Sequence, residues 1–114
     1  MRIKNRKEIP RIQDTCGTIQ EMYHSKNLSV SYATISRKAR SHKHEVMEEV
    51  YYIVKGEGRM FVGKKSFTVK SGDIIAIPKN VFHHIEKISR EPVEMVVVTH
   101  PRYAASDVIE EKKR

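Results

Sequence analysis

Short apolar and β-branched runs recur along the chain at 28–35, 50–55, 59–62, 66–69, 74–77, 82–88 and 93–99, separated by Gly, Pro and charged clusters. Many short runs with turn residues between them predict an all-β sandwich or barrel. The segment Val62-Gly63-Lys64-Lys65-Ser66 reads as a hairpin loop, with glycine supplying a backbone angle that other residues resist. Pro92 and Pro101 bracket the last run, as expected at strand ends. Residues 19–23 fit either a strand or one helical turn. A short terminal helix is expected over 106–113, with Ser106 or Asp107 at its start and Lys112 and Lys113 at its end.

Strand faces follow from the two-residue period. If Glu49 points inward, so do Tyr51 and Ile53, while Val50, Tyr52 and Val54 point out. The outward set is as apolar as the inward one, and both faces of 93–99 are also largely apolar. Sheets that face water usually alternate apolar with polar. Two apolar faces therefore predict burial on both sides, and a homodimer.

At 114 residues the chain is expected to form one domain, 1–114, with a core over about 15–107 and basic, flexible tails. The formal charge is +8. Arg2, Lys4, Arg6, Lys7, Lys112, Lys113 and Arg114 carry seven of those charges, so the body is nearly neutral and no nucleic-acid partner is expected. Arg37, Lys38, Arg40 and Lys43 form the remaining basic cluster, either an exposed loop or a positive rim for an anionic ligand. Cys16 is the single cysteine, which excludes an intrachain disulfide; the Cys16-Gly17 pair has no base beside it to make a nucleophile. No apolar run reaches membrane-spanning length, and the N-terminus lacks the apolar stretch of a signal peptide, so a cytoplasmic location is expected. No Ser-His-Asp pattern of usable spacing, no phosphate-cradling glycine loop and no Cys-x-x-Cys occurs.

Candidate chemistry lies in His42-Lys43-His44, Glu49 and His83. On a strand, His42 and His44 share a face. With Glu49 and His83 they would make a three-nitrogen, one-carboxylate shell suited to a divalent transition metal, with two positions open in an octahedral ion. Glu48 competes with Glu49, and His84 with His83; face parity leaves the Glu pair open because a turn is expected after His44. His24 and His100 stand alone and are read as structural. Tyr51 is a candidate proton donor beside the ion, and Arg59 a candidate clamp for a carboxylate or phosphate should it face inward. Ile53, Met60, Phe61, Phe82, Ile85 and Met95 are expected as apolar walls, with Met22, Tyr23 and Tyr103 at the mouth.

The spacing resembles the two signature motifs of the cupin superfamily. His42, His44, Glu49 and Gly56 match the first; Gly72, Pro78 and His83 match the second. Asn80 stands where the motif has Gly, and Lys87 where it has a non-ligating Asn. The motif counts favour Glu49 over Glu48 and His83 over His84. Glu49-Val-Tyr51-Tyr52-Ile-Val-Lys-Gly56-Glu-Gly58, and Pro101-Arg-Tyr103 with Asp107 after it, are also similar to small microbial cupins of the mannose-6-phosphate isomerase-like kind. The resemblance implies a cupin jelly-roll β-barrel, or double-stranded β-helix, with Mn or Fe ranked first and Ni or Zn next. It further implies dioxygenase, isomerase or decarboxylase chemistry on a small oxygen-rich metabolite. The alternative is a non-catalytic cupin that binds and senses a small molecule.

Overall fold

The computed structural model describes residues 3–14, 17–36 and 40–112. Strands β1 (Ile12–Asp14), β2 (Gly17–His24), β3 (Ser29–Ile35), β4 (His42–Lys43), β5 (Glu48–Lys55), β6 (Glu57–Val62), β7 (Lys65–Lys70), β8 (Ile74–Ile77), β9 (His83–Lys87), β10 (Val93–His100) and β11 (Ile109–Glu110) follow one another along the chain. They form a six-stranded sheet, ordered β1-β2-β3-β10-β5-β8, and a five-stranded one, ordered β11-β4-β9-β6-β7. Every strand pairing is antiparallel. This is the expected jelly roll, and each of the seven apolar runs contributes a strand. Residues 19–23 lie within β2 rather than in a helical turn.

The chain departs from expectation at its two ends. The terminal helix is reduced to one 3-10 turn, Ala105–Asp107, after which the β-branched pair Val108-Ile109 leads into β11. Asp107 does not cap a longer helix because its carboxylate is bound to the 45–47 backbone. At the other end the described part of the N-terminal segment is not a solvated tail. Residues Arg6–Glu8 make a 3-10 turn. The Arg6 guanidinium lies 4.0 Å from the centre of the Tyr32 ring, and the Gln20 amide donates to the carbonyls of Arg6 and Ile9 at 3.0 and 2.8 Å. Arg2, Cys16, Lys113 and Arg114 lie outside the described residues.

Inward positions of the three central strands run from apolar to polar along the barrel. Val93 stands opposite Ile35; Met95 lies between Ala33 and Ile53; Val97 between Ser31 and Tyr51; Thr99 between Ser29 and Glu49. The first two layers, with Met60, Val69 and Ile85 from the facing sheet and Ile77 from β8, make a dry core. The last layer makes the floor of a polar site. Two features pin the strand ends. Gly56 has φ +85°, and a Cβ there would lie 2.6 Å from the Pro92 carbonyl oxygen, so only glycine fits between β5 and β6. Gly63 is the first residue of the two-residue loop between Val62 and Lys65 and has φ +59°, as a type II′ hairpin turn requires.

Candidate metal centre

His42 lies on β4 directly opposite His83 on β9. His44 follows one residue beyond the end of β4 and remains on the inner face. Glu49 comes from β5 in the other sheet. Four ligand atoms, one from each of these residues, fall within 4.8 Å of one another, and all four side chains are buried. The alternation of β5 decides the carboxylate: Glu49 is buried, while Glu48 is exposed beside His100. On β9, His84 faces outward and stacks on Phe61, with ring centres 4.5 Å apart. His24 pairs with Glu21 at 3.3 Å and takes no part in the cluster.

Each imidazole is oriented from behind. The Nδ1 atoms of His42, His44 and His83 lie 2.8, 2.8 and 3.0 Å from the backbone carbonyls of Arg40, Asp107 and Val81. A carbonyl oxygen only accepts, so each Nδ1 carries a proton and donates it. In the neutral ring the Nε2 lone pair is then left facing the cluster. Two of these Nε2 atoms, those of His44 and His83, stand 3.2 Å from the same Glu49 oxygen, Oε1. Three lone pairs and a carboxylate converging in a buried space repel one another unless positive charge lies among them. The donor set therefore fits a divalent transition-metal ion, with the carbonyls supplying the orienting partners that such histidines use.

Titration separates the rings, and without a cation a proton on His44 Nε2 can take its place against Glu49. Burial, with repulsion from His83, pushes His42 down to about 4, so that ring stays neutral near pH 7. Burial also opposes charge on His44, but its hydrogen bond and attraction to Glu49 outweigh that and hold its pKa above the ordinary value. Glu49 is buried, yet the hydrogen bonds and charges of His44 and His83 bring it down to about 2. The carboxylate is therefore anionic throughout the physiological range.

The loop between β4 and β5 is held by Asp107. Its carboxylate accepts from the backbone N–H groups of Glu45, Val46 and Met47 at 2.9–3.2 Å, while its carbonyl orients His44. Burial works against its charge, but the three amides prevail and its pKa is lowered. Asn80 does a related task beside the second motif. It adopts φ 63°, which asparagine tolerates in place of glycine, and its N–H donates to the His44 carbonyl at 2.7 Å.

A cavity of about 30 Å³ opens from the cluster, lined by His42, His44, Glu49, Tyr51, Thr99 and Tyr103 among others. Tyr51 is buried, with its ring centre 6.4 Å from that of His83. Arg59 does not join the site. It lies on the outer face of β6, exposed, and donates to Ser66 and Thr68 at 2.9 and 3.3 Å. The inward partner on that strand is Met60, and this apolar alternation was the signal for the outward arginine. Met22 and Tyr23 border a separate surface groove with Lys4, Arg6 and His24, whereas Tyr103 does reach the cavity. Phe61 and Phe82 are not walls: Phe61 covers His84, and Lys43 lies over the Phe82 ring at 5.2 Å. Of the basic cluster, two members are seen in ion pairs. Lys43 pairs with Glu45 at 3.8 Å and Arg40 with Glu110 at 3.3 Å; Arg37 and Lys38 lie outside the described residues. Thr99 and Ser31 were not singled out by sequence reasoning, although the period-two inward set Val93, Met95, Val97 leads to Thr99.

Fold and site together define a small β-barrel protein with a buried three-histidine, one-glutamate cluster. A family model described as the cupin domain matches residues 30–99, and the chain belongs to the cupin family. An uncharacterized protein of Methanocaldococcus jannaschii is 32% identical over 105 residues, covering 86% of this chain and 84% of that protein. The oxalate-binding protein of Thermotoga maritima is 35% identical over 57 residues, half of this chain and 47% of that protein. Among solved structures, the nucleoside dehydratase Pac13 of Streptomyces superposes with a TM-score of 0.84 over 98% of this chain and 92% of its own, at 17% identity, a likeness of fold. No helix among the described residues is long and apolar enough to cross a membrane.

Proposed function

We propose that this cupin is a metal-dependent enzyme that acts on a small oxygen-rich molecule, with His42, His44, Glu49 and His83 holding Mn or Fe, or next in rank Ni or Zn. The observation that carries the reading is the convergence of three carbonyl-oriented imidazoles and an anionic carboxylate on one buried point beside a cavity. When bound, the metal would supply Lewis-acid polarisation of ligand oxygens and, as Mn or Fe, redox chemistry with dioxygen. The chain's own part is to keep Glu49 charged, to hold the Nδ1 protons of the imidazoles on backbone carbonyls so that Nε2 faces the cluster, and to exclude water with Met95, Val97 and Ala33. Tyr51, buried on the same inner face as Glu49, stands to pass a proton to or from a ligand oxygen.

Dioxygenase, isomerase and decarboxylase reactions separate by assay. Metal-loaded protein is screened for dioxygen uptake, for proton exchange on sugars and for release of carbon dioxide from small acids. In whichever assay turns over, Tyr51→Phe is expected to lower kcat about 10²-fold or more, with metal content unchanged. Tight binding of a small acid with no turnover in any assay replaces the enzyme with a non-catalytic binding or sensing module. That second reading is favoured by the likeness to an oxalate-binding protein over half of this chain.

The outer face of the six-stranded sheet supports a homodimer as part of the same proposal. Ile74, Tyr52, Val54 and Val98 are exposed to 70, 47, 39 and 37% there, and Tyr52 stands between Ile74 and Val96 in the ladder. A contiguous apolar sheet face of this kind marks an interaction surface. Tyr52→Lys is expected to convert a dimer at micromolar concentration into a monomer by light scattering, with metal content retained. A wild-type monomer under the same conditions removes the dimer from the proposal.

A further inference from the structure

The inward ladder of β10 ends on a hydroxyl that the metal cluster does not use. Thr99 is 1% exposed, stands directly opposite Glu49, and lines the cavity. Its Oγ1 has no hydrogen-bond partner among the described residues. A hydroxyl offers one donor and two acceptor sites, and burying it without a partner is unfavourable. Two of the polar groups around it are engaged with others. Glu49 Oε1 faces His44 and His83 at 3.2 Å each. Ser29, its neighbour on β3, donates to Glu21 Oε2 at 3.0 Å and accepts from the Tyr103 N–H at 2.9 Å. Valine has the same shape and would continue the Val93, Met95, Val97 series without that penalty. The hydroxyl is thus matched to something that enters the cavity.

We propose that Thr99 is a ligand-binding residue whose hydroxyl donates a hydrogen bond to an oxygen of the bound small molecule, and that this molecule is a compact acid with oxygens on adjacent carbons. The proposal rests on the reading of the histidine cluster as a metal centre. The chemical class follows from charge and space. The ligand set carries one carboxylate against a divalent cation, so the ion keeps a net positive charge that suits an anionic group bound directly to it, with Asp14 as the other acidic side chain of the lining. A cavity of about 30 Å³ encloses about two water-sized groups, so the part held inside is no larger than the two neighbouring oxygens that such an acid turns to the ion. Outside the cluster the lining is apolar at Ile19, Ala33, Met95, Val97 and Val108, and Thr99, Ser31, Asp14 and the two tyrosines are its polar side chains.

Calorimetric titration of oxalate, glycolate and malonate into metal-loaded wild type, Thr99→Val and Thr99→Ser tests this. Metal uptake is measured first. Wild type is expected to bind oxalate and glycolate, and malonate, one carbon longer, about tenfold more weakly. Thr99→Val is expected to take up metal as wild type does, to melt no lower when metal-free, and to bind oxalate about tenfold more weakly. Thr99→Ser restores the affinity to within about threefold. Should Thr99→Val lower metal uptake, Thr99→Ala is compared at saturating metal, with the same expected loss. Wild type that takes up no metal overturns the metal centre and this inference with it. Full metal uptake with equal oxalate affinity in wild type and Thr99→Val overturns the role of Thr99 alone. Full uptake with no binding of any of the three acids overturns the acid class while the metal centre stands.

Discussion

Saturating the metal-free protein with Mn²⁺ or Fe²⁺ under anaerobic conditions is expected to raise its melting midpoint by about 10 °C or more, and Glu49→Gln is expected to abolish that rise. The folded chain brings together a set of donors that the unfolded chain holds apart. An ion that binds only the folded form, at a free concentration one hundred times its dissociation constant, adds about 2.7 kcal/mol of stability. For a domain of this size, each kcal/mol moves the midpoint by about 4–8 °C. Glu49 is the single anion among the four donors, and its oxygen lies 3.2 Å from two of the three Nε2 atoms. Loss of an orienting partner behind a ligand already weakens metal affinity about 10–100-fold, and loss of this ligand is expected to cost at least as much. Glu49→Gln keeps the shape of the side chain and removes a buried charge, so the variant is expected to fold without metal. Elemental analysis of the purified protein and a melt with and without chelator check both expectations. A wild-type protein that holds no metal and melts identically with each ion has no metal centre.

Asp107→Ala is expected to lower the melting midpoint by at least about 12 °C and to weaken metal binding together with it. The carboxylate of Asp107 is the acceptor for three consecutive backbone N–H groups, those of Glu45, Val46 and Met47. Truncation leaves these donors without it, and a buried orphan donor costs about 1–3 kcal/mol. Not all three amides are fully buried, so a total of about 3–5 kcal/mol is expected, which sets the midpoint shift. The effect on metal is indirect. The 45–47 loop joins His44 to the strand of Glu49, and the Asp107 carbonyl holds the His44 Nδ1 proton at 2.8 Å. Asp107→Asn keeps one acceptor oxygen and loses the charge, so it is expected to fall about midway. A midpoint within about 3 °C of wild type for Asp107→Ala would mean that water replaces the carboxylate at the loop.

How much of this was legible along the chain depends on the range of the interaction. Seven strands were written in short apolar runs, because a strand's two-residue period is a local property and survives in any tertiary setting. Gly63 was legible for the same reason, since it marks a backbone angle that other residues resist, whereas Gly56 stood out only through the motif. The inward set Glu49, Tyr51 and Ile53 follows from parity once one member is placed. Arg59 follows the same rule: with Met60 inward it lies outward, so the condition for its role as a clamp is not met. The terminal segment was misread because Ser106, Asp107 and the closing lysines also make a good helix by local measures. Pairing of β11 with β4, through Ile109 with Lys43 and Glu110 with His42, outweighs that local preference.

The chain by itself determined the kinds of ligand and their spacing: His42 and His44 on one face, a carboxylate at Glu48 or Glu49, and an imidazole at His83 or His84. Only the tertiary structure decided which member of each adjacent pair joins the cluster in space, because that depends on register between strands from two different sheets. It also decided what stands behind and beside the cluster. The Asp107 carbonyl behind His44 and the amides gathered by the Asp107 carboxylate leave no periodic trace. They are contacts between segments as many as 63 residues apart, and no local pattern of side chains encodes the distance across a closed barrel.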